Sequence, residues 1–340
     1  MADGIKLAVV GATGAVGREM LKVLDERKFP VAEIIALAAP EEAGAKLQFR
    51  SETVTVEASS PDAFARADIA LFAVDGDVSR KLAPIAKDNN CIVIDNSSAF
   101  RLDQDIPLVV PEVNPDDARR HKGLIANPNC STTILVVAIN PIHKAVGIDR
   151  AVVSTYQAVS GAGILGLEEL SRHAREYFQG IDSVPAVFKH QIAFNLIPHI
   201  DVFVDEGYTK EEMKLVYETR KIMRAPDMKI AATTVRVPVF RSHSEAVNLD
   251  LKNPMTPAEA RELLAGSPGI IVQDDPSRDI YPMPRFTSEK DEVYVGRIRR
   301  DISTDNGLAM WVVSDQIRKG AATNCIQIAE LLLKENLLRA

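Results

Sequence analysis

Apolar positions along the first 130 residues switch between two periods. Ile5–Val10 is a short strand-like run, followed by a glycine loop and a helical pattern with Val16, Met20, Leu21 and Leu24 on one face, closed by Phe29 and Pro30. Strand-like runs recur at Glu33–Ala38, Thr53–Glu57, Ile69–Val74 and Cys91–Asp95. Ser79–Asp88 reads as a helix interrupted at Pro84. Strands apolar on both faces and separated by helices predict a mainly parallel sheet covered on both sides.

Past Cys130 the texture changes. Thr132–Ile139 predicts a helix ending before Pro141, Ala151–Ala158 a strand, and Leu165–Phe178 a helix behind the Gly-rich Ser160–Gly163. Longer strand patterns then dominate, at Ile230–Val239, Ala246–Leu251, Gly269–Gln273, Glu292–Arg299 and Leu308–Ser314. This predicts an α+β domain on an open, mostly antiparallel sheet. Gln316–Leu338 is expected to be one long amphipathic helix, with Ile317, Ala321, Ile328, Leu331 and Leu332 on a face that returns to the first domain. No internal repeat or low-complexity linker separates the two textures.

A chain of 340 residues is long enough for two cores. Its net charge of −7 leaves no basic surplus for nucleic acid or an anionic membrane, and no apolar run approaches a membrane span. Met1, Ala2 and Asp3 lead into the first strand without a secretory pattern. The three widely spaced cysteines, Cys91, Cys130 and Cys325, predict neither a disulfide framework nor a metal site. A reducing cytoplasm is the expected compartment.

Gly11, Gly14 and Gly17 follow a strand and open a helix, where glycines permit a tight turn and close approach of a pyrophosphate to the helix N-terminus. The same spacing also serves close helix–strand packing without a ligand. Cys130 stands before an apolar helical run, so that Asn129 or Cys130 lies near the N-cap and a thiolate gains from the helix dipole. A small buried hydrophobe is the commoner fate of a free cysteine and suits Cys91 and Cys325. The polar flanks Pro128-Asn129 and Ser131-Thr132 oppose it at Cys130. A nucleophilic thiol in a dinucleotide-binding chain points to aldehyde oxidation through an acyl-enzyme, or its reverse.

Six features occur in order: the glycine loop, Asn96–Arg101, Asn127–Thr132, Tyr156–Gly163, Glu211–Lys214, and Arg236-Val237-Pro238 with His243. Over nearly the whole chain they resemble aspartate-β-semialdehyde dehydrogenase. The resemblance implies a Rossmann-type dinucleotide-binding domain, residues 1–129 plus 317–340, and a catalytic and dimerisation α+β domain, residues 130–316. It implies Cys130 as nucleophile, His243 as acid/base, Gln157 orienting the acyl group and Asn129 close to the oxyanion. Arg236 would hold the substrate carboxylate and Glu211 its ammonium, with Arg101 and Lys214 on phosphate. Glu211 and Lys214 share a helix face, and a solvated surface ion pair is the alternative for them. Gly11, Thr13, Gly14, Ala15 and Val16 would meet the coenzyme, with Ser160, Gly161 and Asn324 near the nicotinamide. The implied reactants are aspartate semialdehyde and phosphate, and the implied assembly is a homodimer.

The coenzyme loop departs from the family. Where a Ser-x-Arg-Ser segment would cradle the 2′-phosphate of NADP, this chain has Ala39-Pro40-Glu41-Glu42. Acidic residues after the second strand suit a free ribose diol, so NAD stands beside the family's NADP. Reduction of N-acetyl-glutamyl phosphate is a second reading, opposed by Asn129-Cys130-Ser131 where that family has Gly-Cys-Tyr. A silent nucleotide-binding paralogue would be expected to lack the thiol or the histidine, and both are present.

Overall fold

The computed structural model describes residues 4–338. Met1, Ala2 and Asp3, read above as leading into the first strand, and Arg339 and Ala340, within the expected first domain, lie outside the described residues. The chain divides into two compact units, Met1–Asn129 with Ala321–Ala340, and Cys130–Gly320.

The first unit begins β1 (Ile5–Val10), α1 (Ala15–Glu26), β2 (Val31–Ala38), β3 (Lys46–Phe49), β4 (Glu52–Thr55), β5 (Glu57–Ala58) and α2 (Pro61–Ala65). It continues with β6 (Ile69–Phe72), α3 (Gly76–Asp88), β7 (Ile92–Asp95) and β8 (Leu124–Ala126). The sheet order is β5-β2-β1-β6-β7-β8, every pair parallel, so strand order reverses between β1 and β6. Open parallel sheets bind ligands at the carboxyl end of such a switch point. Every residue of β6 and β7 is buried, as strands covered on both faces require. Each large side chain there contributes about 1.5–3 kcal/mol by leaving water.

Two expectations fail here. Thr53–Glu57 is not one strand: β4 pairs antiparallel with β3, and only β5 joins the main sheet beside β2. Alternation marks extended chain without naming the partner sheet. Pro84 does not interrupt α3, because buried Ala83 and Ala86 hold the helix across the one backbone donor that proline removes.

The second unit contains α4 (Cys130–Val146), β9 (Ile148–Gln157), α5 (Gly163–Phe178), α6 (Lys210–Ile222), β10 (Lys229–Arg236), β11 (His243–Leu251) and α7 (Pro257–Ala265). Then come β12 (Ile270–Val272), α8 (Pro284–Thr287), β13 (Val293–Asp301) and β14 (Gly307–Ser314). Its sheet, β10-β9-β11-β14-β13-β12, is antiparallel through the middle with parallel pairs at both edges. α4 runs through Pro141 instead of stopping before it, since Ile139, Asn140 and Ile142 are all buried. The expected helix over Gln316–Leu338 is also broken: a π-helical turn, Arg318–Ala322, precedes α9 (Thr323–Lys334). Cys325, Ile326, Ile328, Ala329 and Leu332 of α9 join the core of the first unit, and Glu330 receives a two-pronged bond from Arg27 at 2.8 and 2.7 Å. Among the described residues no helix is long and apolar enough to cross a membrane.

Strand register stacks side chains in rows on the buried face of the second sheet. Arg236 pairs with Gln157, and the Ser244–Tyr156 pairing carries His243 level with Gln157. The row below holds Thr234, Thr155 and Glu245, and the next holds Ala232, Val153 and Val247. Glu245 is fully buried, and neither carboxylate oxygen has a hydrogen-bond partner. Burial therefore pushes its pKa well above the ordinary 4.5. A raised acid binds more protons folded than unfolded. Its contribution to stability is greatest below the unfolded value, falls as pH rises toward the folded value, and then levels. The melting temperature of the parent should accordingly fall relative to Glu245→Gln as pH is raised from 4.5. A gap that stays constant with pH in paired thermal melts would contradict this.

Candidate active site

In the first unit the glycine loop occupies the switch point. Gly11 has φ +81°, and a Cβ there would stand 2.4 Å from the Ala73 carbonyl oxygen. A Cβ on Gly17 would stand 2.2 Å from the Gly11 oxygen. Gly11 and Gly17 are thus fixed by chain packing. Gly14 is not, since its Cβ would meet only the Gly11 oxygen at 3.4 Å. It opens α1 with no side-chain cap and no acid in the first turn. Thr13, Gly14, Ala15 and Val16 are half-exposed around an N-terminus whose first amides, as at any helix start, have no acceptor within the helix. Glu41 and Glu42 lie exposed on a short turn directly after β2, and Lys46 donates to Thr55 instead of approaching them.

Arg101 and Asn324 belong to one polar net in this unit. Arg101 is buried and donates from Nε to the Asn127 carbonyl at 2.9 Å and from Nη2 to the Asn96 carbonyl at 2.8 Å. Asn324 donates to the Val109 carbonyl at 3.0 Å and to Asn127 Oδ1 at 2.7 Å. Placed so, Asn324 braces the Asn127–Asn129 segment. Asp95, buried at the end of β7, holds Ser97 through both backbone and hydroxyl. Burial raises its pKa, against the Ser97 bonds and Arg101.

The second unit gathers most of the remaining residues. Cys130 is the first residue of α4 and is half-buried. Arg236 is buried and donates from Nη1 to the Ala158 carbonyl at 2.6 Å. Burial weakens its proton affinity, and the charges of Glu211 and Cys130 oppose that loss. His243 is fully buried; its Nδ1 accepts from the Ala158 N–H at 3.0 Å, and its Nε2 has no hydrogen-bond partner. The neutral ring therefore carries its proton on Nε2. Burial, then Arg236, holds it neutral well below pH 6.5. A Cβ on Gly161 would lie 2.7 Å from Arg236 Nη1 and 3.5 Å from His243 Nε2, so this glycine leaves room beside both.

Glu211 and Lys214 do pair, at 2.9 Å, but not in solvent. Glu211 is buried, accepts from Gln157 Nε2 at 3.2 Å, and shares Lys214 with Asp201, which lies 2.8 Å from Nζ. Burial works against the Lys214 charge, and the two carboxylates more than restore it. Ser160 is buried and bonded to Gln316. Sequence reasoning missed Asp201, the Ala158 peptide and Phe188, whose ring lies 5.9 Å from the Arg236 guanidinium carbon. The Phe188 loop is anchored by Glu169, which accepts three backbone N–H groups at 2.7–3.1 Å. None of these carried a motif. Gly320 was also missed, and its signal was legible as a lone glycine inside a predicted helix. Among the described residues no cluster of His, Cys, Asp or Glu could hold a metal ion.

Two family models match: one described as "Semialdehyde dehydrogenase, NAD binding domain" over residues 6–121, and one described as "Semialdehyde dehydrogenase, dimerisation domain" over residues 139–319. The chain is 52% identical to an aspartate-semialdehyde dehydrogenase of Aquifex aeolicus, over 98% of this chain and all of that one. A crystal structure of aspartate semialdehyde dehydrogenase II from Vibrio cholerae, complexed with ASA, superposes with a TM-score of 0.95 at 46% identity, covering 98% of this chain and 99% of that one. An aspartate semialdehyde dehydrogenase with NADP from Candida albicans gives 0.76 at 27% identity, over 98% and 99%.

The cysteines differ enough for a direct test. Cys91 is buried, and burial pushes its thiol up to about 12; Cys325 is fully buried. Iodoacetamide applied to the native protein near pH 7.5 should modify Cys130 first, by at least about tenfold in rate, because alkylation needs an accessible thiolate. Peptide mapping that finds Cys91 or Cys325 labelled earlier would rule out this ordering.

Proposed function

This chain belongs to the aspartate-semialdehyde dehydrogenase family, and we propose that it interconverts L-aspartate 4-semialdehyde and 4-aspartyl phosphate through a thioester on Cys130. In biosynthesis the reaction runs reductively, toward lysine, threonine and methionine. The observation that carries this reading is the arrangement in the second unit: a half-buried cysteine at a helix start, within electrostatic reach of a buried arginine that shares the Gly161 face with a neutral histidine.

In the oxidative direction the Cys130 thiolate attacks C4 of the semialdehyde, forming a C–S bond while the carbonyl π pair moves onto oxygen to give a hemithioacetal oxyanion. The nascent oxygen meets a donor in His243 Nε2–H, the one ring nitrogen not occupied by Ala158. A bound nicotinamide would accept the hydride, leaving the thioester. Phosphate attack on the thioester carbon then forms the acyl phosphate and releases the thiolate. Arg236 would take the α-carboxylate through its planar fork, and Glu211 the ammonium. Gln157, bonded to Glu211, is placed to orient the acyl oxygen, with Asn129 beside the nucleophile. Lys214 and Arg101 would hold phosphate.

The residues of the first unit fit a dinucleotide: Gly14 admits close approach, and the uncapped start of α1 offers amides to a pyrophosphate. We assign both NADP, the family's coenzyme, and NAD to this site, because Glu41 and Glu42 would face a 2′-phosphate with like charge. The assembly we propose is a cytoplasmic homodimer through the second sheet. Its face away from Cys130 carries half-buried Tyr156 and Trp311, with ring centroids 5.3 Å apart. Trp311 also lines a cavity of about 310 Å³, together with Tyr281, Pro282, Met310, Arg297 and Arg299 among others. Reduction of N-acetyl-glutamyl phosphate gains no support, since Glu211 and Arg236 suit a free amino acid.

Two measurements test this reading. Semialdehyde oxidation should depend on phosphate, vanish in Cys130→Ala, and lose roughly 10²–10⁴ in kcat in His243→Asn with KM little changed. Phosphate-dependent turnover surviving in Cys130→Ala would remove the thioester mechanism. For the coenzyme, the parent should use NAD measurably, and Glu41→Arg with Glu42→Ser should move kcat/KM toward NADP at least about tenfold, through removal of like-charge contact. Strict NADP dependence of the parent would refute the role given to the two glutamates.

A further inference from the structure

β14 ends at Ser314, and the next six residues form a turn tied down at both ends. Asp315 is fully buried; its Oδ1 accepts from the N–H groups of Ile317 at 2.9 Å and Arg318 at 3.2 Å. Its Oδ2 accepts from Glu289 N at 2.6 Å and from Arg241 Nε. Gln316 Oε1 accepts from Ser242 N at 2.9 Å, while its Nε2 donates to Ser160 Oγ. The turn thus grips the residues that lead into His243 and the loop that carries Gly161. Gly320 closes it, donating to the Asp315 carbonyl at 3.3 Å.

Gly320 lies against the proposed nucleophile. A Cβ there would stand 2.8 Å from Cys130 Cβ, 3.1 Å from its Cα and 3.3 Å from its carbonyl oxygen. The backbone at 320 is not left-handed, so conformation does not require glycine. Space does. A π-helical turn occurs at the same place, and such turns, uncommon in general, are frequent at functional sites.

We propose that Gly320 is a positioning residue and that the Asp315–Gly320 turn is a strut setting the first residue of α4 relative to His243 and Gly161. The role rests on the reading of Cys130 as nucleophile. Because Asp315 and Gln316 fix the turn, a side chain at 320 displaces Cys130. An error of about 1 Å in a reacting group costs up to about 10²-fold in rate.

Gly320→Ala in the full-length enzyme should lower kcat by about 10–10²-fold and leave the semialdehyde KM nearly unchanged, since Ala158 holds Arg236, and Gln157 and Lys214 hold Glu211, all from outside the turn. The rate of Cys130 alkylation, measured without substrates, should change as well. The alanine should lower the melting temperature in the parent but much less in Cys130→Gly, where the clashing Cβ is absent. These two readouts need no turnover, so they test the strut even if the proposed reaction fails. Unchanged kcat and alkylation, or an equal melting loss in both backgrounds, overturns the proposal. If Gly320→Ala does not fold, Gln316→Leu releases Ser242 and Ser160 while sparing residue 320. It should lower kcat at constant KM, and full activity in that variant overturns the strut.

Discussion

A guanidinium buried as deeply as that of Arg236 must be neutralised and hydrogen-bonded, or its desolvation costs several kcal/mol. The surroundings of the site answer that demand. The Ala158 carbonyl accepts from Nη1, and Glu211 supplies the nearest compensating carboxylate. Glu211 is itself too buried to stand alone, and Lys214 and Asp201 extend the chain of charges toward the surface. The same constraint fixes His243. Full burial, and then the cation of Arg236 beside it, keeps the ring neutral, and the Ala158 N–H selects the tautomer. One residue, Ala158, thereby holds both groups, its N–H donating to His243 and its carbonyl accepting from Arg236.

Strand register turns this local arrangement into a rigid one. Arg236, Gln157 and His243 stand level on three adjacent strands, so their separations are set by backbone ladders, not by loops. Thr155 and Thr234 form a polar layer beneath them, and apolar side chains begin one row deeper. Helix starts divide in a similar way. α6 and α7 are closed by capping boxes, Thr209 with Glu212 and Thr256 with Glu259. α1 and α4 carry no acid in their first turns.

Much of the first unit was legible from periodicity, because parallel strands buried on both faces leave continuous apolar runs. Errors fell where tertiary packing outweighed a local preference. Buried neighbours carried α3 and α4 through proline, and β4 left the main sheet to pair with β3. α7 was overlooked amid strand-like patterns, although Thr256 and Glu259 are a readable capping box. The final helix broke at the turn that crosses between units. Its apolar face predicted helix correctly from Thr323 to Lys334, four residues short of the expected end at Leu338, and only the lone glycine hinted at the break.

Residue chemistry in the sequence by itself determined which groups are available: a thiol at a helix start, a glycine loop after a strand, an arginine and a histidine seven residues apart. Those follow from local rules of spacing and capping. The tertiary structure alone decided their states. Burial made His243 neutral, joined Glu211 to Gln157, and drew the backbone of Ala158 against two side chains. It also placed Gly320 against Cys130, a contact across 190 positions that no local pattern encodes. Desolvation and close approach depend on what folds over a residue, and distant segments supply that cover.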